Sequence, residues 1–290
     1  MQVDQQPQAL DWMRLHIDGH LANTPDQIRG NVESALARDY IPFNDLINTK
    51  SGAVAVVGSG PSLKKTWKRL KNFKGEIIAC NAACQFLLEK GITPTYMFCF
   101  DADPLMLEFM TPHPEITYLI ASRCPPEAFE LIKGCRIVCW HAAGDEELES
   151  ILLKFKKNEP MVVGGGAAVT RAMVLAIPMG YRKVHIFGGD SSFSKGDTHI
   201  RQSTTKERII PVKCAHRVFL TAPWMAKQVE DFKMLSNLYR ERLGIEFIVH
   251  GDGLLPHVAM VEGFKTDYIY RFMHFFRRLD WKARTLWQHI

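Results

Sequence analysis

The hydrophobic positions follow two different patterns along the chain. Over the first 50 residues, apolar side chains recur at helical spacing in two groups, at residues 10–17 and 28–36. The tripeptide Asn23-Thr24-Pro25 lies between them and is a typical start of a helix. From Ala53 onward, short β-branched runs alternate with helical stretches. The pattern predicts an N-terminal helical arm followed by an α/β region.

Runs typical of buried strands follow one another in this second region: AVAVV, EIIAC, YMFCF, TYLIA, RIVCW, KVHIF and EFIVH. Buried strands that alternate with helices predict a Rossmann-like α/β fold, with a mostly parallel sheet covered by helices on both faces. The clearest helices run from Ala167 to Met179 and from Pro223 to Leu243.

Polar residues or glycines follow each of these runs. The groups after the seven strands are Gly58 to Ser62, Asn81, Asp101 to Asp103, Ser122, His141, Gly188 to Asp190 and His250. Each alone is equally typical of a turn or a helix cap. Because open α/β sheets bind ligands at the carboxyl ends of their strands, the series predicts a ligand crevice along that edge.

The first of these loops reads Gly58-Ser59-Gly60-Pro61-Ser62 and precedes a lysine-rich helical stretch. Glycines allow close approach of a phosphate, and a following helix start directs N–H groups at an anion. Leu63 stands where the dinucleotide fingerprint has its third glycine, and the Walker Gly-Lys-Ser/Thr ending is absent. The loop indicates a phosphate or nucleotide site, with a plain turn as the alternative.

Two further segments carry candidate binding groups. Asp101 and Asp103 resemble the Asp-x-Asp pair that holds a divalent metal against a diphosphate, although Asp103 could simply cap a helix that begins at Pro104. Asp101 at the strand end is the better candidate for contact with a ligand, such as a ribose hydroxyl. Gly164, Gly165 and Gly166 open a helix of small residues, which suits close passage of a nucleotide or a hinge.

A candidate acid–base group lies after the sixth strand run. The strand ends at Gly188-Gly189-Asp190, and a polar loop continues to Gly196-Asp197-Thr198-His199. A histidine near a crevice that contains carboxylates is a candidate general base because its ordinary pKa is near neutrality. The alternative is a solvated loop histidine.

These motifs, in this order and spacing, carry a family resemblance. VVGSGPSL, CNAA, FDADP and GGGAAVTRAMVLAIPMGYRKVHIFGGDSSFSKGDTH resemble the domain of Maf-type flagellin glycosyltransferases and MptE-like 6-hydroxymethylpterin diphosphokinases. They are more distantly similar to bacterial CMP-sialic-acid sialyltransferases. The resemblance covers about residues 52–258, and its most specific part ends in Gly-x-Thr-His.

The resemblance implies a nucleotide-dependent transferase. The implied nucleotide site consists of Gly58, Ser59, Gly60, Ser62, Asn81, Asp101, Gly164, Gly165 and Gly166. Asp190 and His199 are the implied catalytic residues, and Asp101 with Asp103 forms the candidate metal site for Mg²⁺. The implied domains are an arm at 1–50, a nucleotide-binding transferase domain at 51–258 and a basic aromatic helix at 259–290.

The family includes two chemistries, and both remain open here. In a glycosyltransferase, a CMP- or other NDP-sugar is the donor, His199 deprotonates a hydroxyl acceptor, and N–H groups of the glycine loop stabilise the leaving phosphate. The Thr-His loop favours this reading. The second reading is a diphosphotransferase that uses ATP and Mg²⁺, for which the acidic cluster beside Asp101 is sparse. A non-catalytic nucleotide-binding protein is a third reading, since fold does not imply function.

Composition restricts the partners. The net charge is +5, and six cations against two aspartates give residues 264–290 a net charge of +4. The near-neutral remainder argues against nucleic acid as a partner. Within 268–286 the apolar residues fall at helical spacing, with cations beside them. This C-terminal helix is expected either to lie on an anionic membrane surface or to dock on the core or a sister subunit.

The chain carries no secretory signal pattern and no apolar run of spanning length, so it is expected in the cytoplasm, with the inner membrane face as an option. Its seven cysteines form no Cys-x-x-Cys pair and lie mostly in strand-like runs. They are therefore expected to be reduced and buried.

Overall fold

The computed structural model describes residues 10–12, 23–144, 148–194 and 208–267. Of the C-terminal helix predicted at 259–290, residues 268–290 lie outside these ranges, whereas Lys265–Thr266 is a strand and not part of a helix. Within these ranges the strands form two sheets. The strands are β1 (Leu10–Asp11), β2 (Ile41–Pro42), β3 (Ala53–Val57), β4 (Glu76–Cys80), β5 (Tyr96–Cys99), β6 (Thr117–Ala121), β7 (Arg136–Ala142), β8 (Met161–Val162), β9 (Lys183–Phe187), β10 (Ile210–Cys214), β11 (Arg217–Thr221), β12 (Glu246–Val249) and β13 (Lys265–Thr266).

The helices connect these strands and cover the main sheet. They are α1 (Pro25–Leu36), α2 (Leu63–Thr66), α3 (Ala82–Glu89), α4 (Pro126–Leu131), α5 (Leu148–Lys154), α6 (Ala168–Met179), α7 (Pro223–Leu243) and α8 (Leu254–Val261). Segments of 3₁₀ helix occupy Phe43–Leu46, Trp67–Asn72 and Pro104–Phe109. Within the described ranges, none of the helices has both the length and the apolar character needed to cross a membrane.

The main sheet is parallel and confirms the predicted α/β class. Its strand order is β13-β12-β9-β3-β4-β5-β6-β7-β2, with β8 beside β7, and all of these pairings are parallel. All seven strand runs expected from the sequence are strands here. Most of them are buried on both faces, with Val54 to Val57 and Met97 to Cys99 fully inaccessible, whereas β12 alternates between buried and partly exposed residues.

The strand order reverses at β3. From β3 the chain adds β4 to β7 on one side, whereas β9, β12 and β13 lie on the other side. The carboxyl ends of β3 and β9 therefore flank the topological switch point, where doubly wound sheets bind their ligands. The loops that begin at Gly58 and at Gly188 lie at this place.

The N-terminal region follows the prediction only in part. Thr24 caps α1, since its hydroxyl accepts the N–H of Gln27 at 3.3 Å, as the start signal indicates. The helix predicted from Leu10 is wrong at its start. Leu10–Asp11 is a strand that pairs in parallel with β10. Long-range pairing has overridden local spacing there, while residues 13–22 lie outside the described ranges.

A small second sheet is a feature that the hydrophobic pattern did not predict. It has the order β1-β10-β11, with β10 and β11 forming an antiparallel hairpin. Residues 41–42 of the N-terminal region also join the main sheet beside β7. The proposed division of the chain at residues 50 and 258 remains a prediction.

Candidate functional site at the strand-end edge

The loop after β3 is joined to the loop after β9 by one side chain. The Asp190 carboxylate accepts the Ser62 backbone N–H at 2.6 Å and the Ser62 hydroxyl at 2.5 Å. Asp190 is 2% exposed. The buried Asp190 side chain therefore holds the glycine loop after β3 in place through Ser62.

Burial sets the protonation behaviour of this carboxyl group. The pKa of Asp190 is raised to about 7, chiefly by loss of hydration on burial; the two Ser62 hydrogen bonds act to lower it, and the nearby Asp252 charge acts to raise it. The carboxyl group thus titrates near neutral pH. A group of this kind in a ligand crevice is a functional candidate, although structural networks produce the same effect.

Glycines allow these loops to come together. A side chain at Gly60 would place its Cβ 2.6 Å from both an Asp190 carboxylate oxygen and the Gly188 carbonyl oxygen. Gly188 itself has φ +59°, in the left-handed region that favours glycine. These two glycines are therefore explained by protein packing before any ligand is considered.

The N–H groups of the glycine loop are largely bonded to the protein. Gly58 donates to the Phe187 carbonyl and Gly60 to the Gly188 carbonyl, each at 2.8 Å. Ser62 donates to Asp190, and Leu63 donates to Gly60 at 3.0 Å. The loop therefore has few N–H groups to offer a phosphate, in contrast to the arrangement considered from sequence.

The start of α6 lies beside this loop. A Cβ at Gly58 would lie 2.5 Å from Val169, and the Cys80 thiol at the end of β4 is 3.8 Å from the Ala168 carbonyl. The first intrahelical bond at this end runs from Arg171 to Ala167 at 2.9 Å. The N–H groups of the first turn precede it and have no intrahelical acceptor. This helix end is thus a source of donors and of positive potential.

The Gly164 to Gly166 turn before α6 is held by charged side chains. Arg171 donates from Nε to the Gly165 carbonyl at 2.7 Å and from Nη1 to the Val162 carbonyl at 2.6 Å. The Asp231 carboxylate accepts the Gly166 N–H at 2.7 Å. Gly165 has φ +81°, and a Cβ there would lie 2.7 Å from the Arg171 backbone nitrogen. This arrangement fixes the turn and does not resemble a hinge.

Asn81 ends β4 in an unusual conformation. Its φ of 48° and ψ of −127° fall outside the usual regions for a residue other than glycine, and its side chain does not cap α3. Asn81 is partly exposed. Strained residues of this kind persist where the surrounding structure holds them, often at functional sites.

Asp101 and Asp103 are exposed and serve the local backbone. The Asp103 carboxylate accepts the Leu105 N–H at 2.9 Å, which is the helix cap considered as the alternative, and Asp101 accepts the Asp103 N–H at 3.2 Å. The described residues contain no group of three or more His, Cys, Asp or Glu suited to a metal. The two aspartates alone do not complete a donor set for Mg²⁺.

Ser122, which follows β6, and His141, which lies within the last two residues of β7, meet in a buried network. His141 Nδ1 lies 2.9 Å from the Ser122 hydroxyl, and Nε2 lies 3.0 Å from Glu159. The Tyr40 hydroxyl donates to Glu159 at 3.0 Å. Burial raises the pKa of Glu159, but hydrogen bonds from His141 and Tyr40 outweigh it and lower the value overall. Neither Glu159 nor Tyr40 follows a predicted strand, so sequence reasoning missed both.

The structure thus brings together most of the nucleotide-site residues expected from sequence. Gly58 to Ser62, Asn81 and the Gly164 to Gly166 turn surround the start of α6, and Asp101 lies one strand further along the same edge. Ser59, Asn81, Asp101 and Gly166 are partly or fully exposed there. His199 lies outside the described residues, and the catalytic roles of His199 and Asp190 stay predictions.

A family model matches more than half of the chain. The model described as "6-hydroxymethylpterin diphosphokinase MptE-like" covers residues 30–196. The chain belongs to the MptE-like family. This confirms the resemblance found in the sequence motifs. A search of curated proteins found no match.

Solved structures place this MptE-like chain in a known fold. It is similar to the Maf glycosyltransferase from Magnetospirillum magneticum AMB-1, with 17% identity, a TM-score of 0.63 and coverage of 86% of this chain. The chain spans only 39% of that protein's length. More distant matches are a mammalian sialyltransferase, with 10% identity, a TM-score of 0.39 and coverage of 84% and 90% of the two chains, and the sialyltransferase CstII from Campylobacter jejuni, with 13% identity, a TM-score of 0.29 and coverage of 71% and 86%.

Proposed function

We propose that this MptE-like chain is a nucleotide-dependent transferase that moves a sugar from a nucleotide-activated donor to a hydroxyl acceptor. The observation that carries the proposal is the meeting of the Gly58 to Ser62 loop, Asn81 and the start of α6 at the switch point of a parallel sheet. Ligands of open α/β sheets bind at this point.

The phosphate of the donor is assigned to the first turn of α6. Most N–H groups of the glycine loop donate to protein acceptors, whereas a helix start offers N–H groups and the positive end of the helix dipole. The Arg171 guanidinium, bound to the Gly165 carbonyl, brings positive charge to this turn, where the Asp231 carboxylate is paired with Lys227. We assign Asp101, exposed at the end of β5, to a ribose hydroxyl of the donor.

In the reaction, the bond between the anomeric carbon and the donor phosphate oxygen breaks while the acceptor oxygen forms the new glycosidic bond. His199 takes the acceptor proton, and the nucleotide leaves with the bonding electron pair. Asp190 is a positioning residue in this account, since its buried carboxylate holds Ser62 and through it the glycine loop.

A second candidate function is diphosphate transfer from ATP to a hydroxymethylpterin. The description of the matching family model favours it. In that reaction Asp101 and Asp103 would hold Mg²⁺ together with the ATP phosphates and water, since Mg²⁺ commonly takes one or two carboxylates beside substrate phosphates.

Product analysis separates the two functions. The full chain is incubated with CMP-, UDP- and GDP-sugars and hydroxyl acceptors, and separately with ATP, Mg²⁺ and 6-hydroxymethylpterin. Glycosyl transfer releases CMP, UDP or GDP, whereas diphosphate transfer releases AMP. We expect nucleotide release from a sugar donor and a loss of roughly 10²–10⁴-fold in turnover for His199→Ala. Full activity of a folded His199→Ala protein would refute the base assignment.

A further inference from the structure

A cavity of about 390 Å³ opens on one face of β9, and His250, the residue after β12, also lines it. Lys183, His185 and Phe187 line it, as alternate residues of a strand that share a face. The other wall comes from the 3₁₀ segment Trp67–Asn72 and from Phe73. Gly58 to Ser62, Asn81 and Gly164 to Gly166 do not line it, so this cavity is separate from the proposed donor site.

Aromatic rings form much of the cavity wall. Phe73 contacts His185 edge to face, with ring centroids 5.0 Å apart. Phe187 and His250 stack at 4.0 Å with an interplanar angle of 10°. A volume of this size with ring walls suits a small planar ring, because ligand pockets are mostly apolar with a few placed polar groups.

Two histidines and a carboxylate form a chain that ends in this cavity. His250 Nδ1 lies 2.5 Å from an Asp267 carboxylate oxygen, and His250 Nε2 lies 2.9 Å from His185 Nδ1. A carboxylate only accepts, so His250 donates from Nδ1 and, in its neutral form, accepts at Nε2. His185 then donates from Nδ1, and its Nε2 is left as an acceptor.

His185 is neutral near pH 7. Burial, followed by the charges of His250 and Lys183, lowers its pKa to about 4. Its Nε2 has no hydrogen-bond partner among the described residues. The cavity thus offers an acceptor nitrogen that suits a hydroxyl or a ring N–H of a ligand.

The charges around the cavity are unbalanced. Arg69 pairs with Asp267, and Glu246 is shared by Lys183 at 3.0 Å and Lys265. Lys74 lines the cavity and makes no ion pair within the part of the chain that the structure describes. Of the three cations that line the cavity, Arg69 and Lys183 pair with carboxylates, so Lys74 is one positive charge in excess. The negative charge of a phosphate monoester matches this excess.

We propose that this cavity is a second ligand site, for a small phosphorylated aromatic compound. Its ring lies between the Phe73 and His250 walls, its phosphate binds Lys74 and Lys183, and a donor group on the ligand binds His185 Nε2.

The test is calorimetric titration of the full chain at pH 7 with phenyl phosphate, inorganic phosphate and phenol. Phenyl phosphate is expected to bind more tightly than either of the others. Lys74→Met should weaken its binding at least tenfold, since hydrogen bonds to charged groups are among the strongest. Lys133→Met, an exposed lysine outside the cavity, is the matched control. The unfolding midpoint of each variant checks that it is folded.

NMR signals of the His185 ring show whether the ligand binds beside this residue. They are assigned as the signals that are missing from the spectrum of His185→Gln. They are expected to move on addition of phenyl phosphate. Absence of binding, equal affinities for Lys74→Met and Lys133→Met, or unmoved His185 signals at saturation would each overturn the site. Asp101→Asn should leave phenyl phosphate binding unchanged, which distinguishes this site from the proposed donor site.

Discussion

Asp190 and Ser62 are 128 residues apart in the chain, and both carboxylate oxygens of Asp190 bind Ser62. One oxygen accepts the backbone N–H and the other accepts the hydroxyl. This pair ties the loop after β3 to the loop after β9 at the switch point of the sheet. The geometry of the proposed donor site therefore depends on a buried contact that the donor does not touch.

The first prediction concerns the pH dependence of stability. Burial raises the pKa of Asp190 from 3.8 to about 7. Between these two pH values, the folded state therefore keeps a proton on Asp190 that the unfolded state has released. The free energy of unfolding contributed by this group therefore falls as pH rises through that window. In Asp190→Asn this contribution is absent, and the variant should gain stability relative to the parent as pH rises from 4 to 7.

Urea denaturation at several pH values checks this. Asp45→Asn, at an exposed position, serves as the control and should not reproduce the change. Stability profiles for Asp190→Asn and the parent that run parallel across the window would mean that the carboxyl group is not perturbed as described.

The second prediction concerns Gly60. A methyl group there would lie 2.6 Å from an Asp190 oxygen and from the Gly188 carbonyl oxygen, so the loops must move apart. We expect Gly60→Ala to lower the free energy of unfolding by about 1–3 kcal/mol. Gly30, in α1, has open space around it, and Gly30→Ala should raise stability by about 0.5–1 kcal/mol. Thermal unfolding of the two variants should give shifts of opposite sign; a neutral Gly60→Ala would argue against close packing of the loops.

The third prediction concerns the buried network at the ends of β6 and β7. Ser122→Ala leaves His141 Nδ1 without its partner in a fully buried position. An unsatisfied buried polar group costs roughly 1–3 kcal/mol, so the unfolding free energy should fall by that amount. Ser51→Ala, at an exposed position, should change it little. Equal urea midpoints for the two variants would contradict the hydrogen bond.

The sequence pattern predicted the parallel sheet well because most of its strands are buried on both faces and appear as continuous apolar runs. It missed β10 and β11, in which buried Val212 and Phe219 alternate with exposed Lys213 and Val218 over only five residues each. Strand β1 could not be predicted, since its two residues gain their conformation only from pairing with β10.

The sequence pattern likewise found some residues of the candidate site and missed others. The glycine loops and Asn81 were found because each directly follows a strand run. Arg171 and Asp231, which hold the Gly164 to Gly166 turn, lie inside helices and carry no local signal. Which protein carbonyls accept the loop N–H groups depends on the order of the strands in the sheet. That order cannot be deduced from any single segment of the sequence.

We assign a nucleotide to the edge of the sheet at the switch point. The most direct measurement is the unfolding midpoint of the full chain with CMP, UDP, GDP, ADP and ATP, each with and without Mg²⁺. One nucleotide at 100 times its dissociation constant should stabilise the fold by about 2.7 kcal/mol. Asp101→Asn should weaken the binding of that nucleotide about tenfold. Asp103→Asn, which keeps the helix cap, should leave its affinity unchanged. If none of the five nucleotides raises the midpoint under any condition, the assignment of a nucleotide site to this edge is refuted.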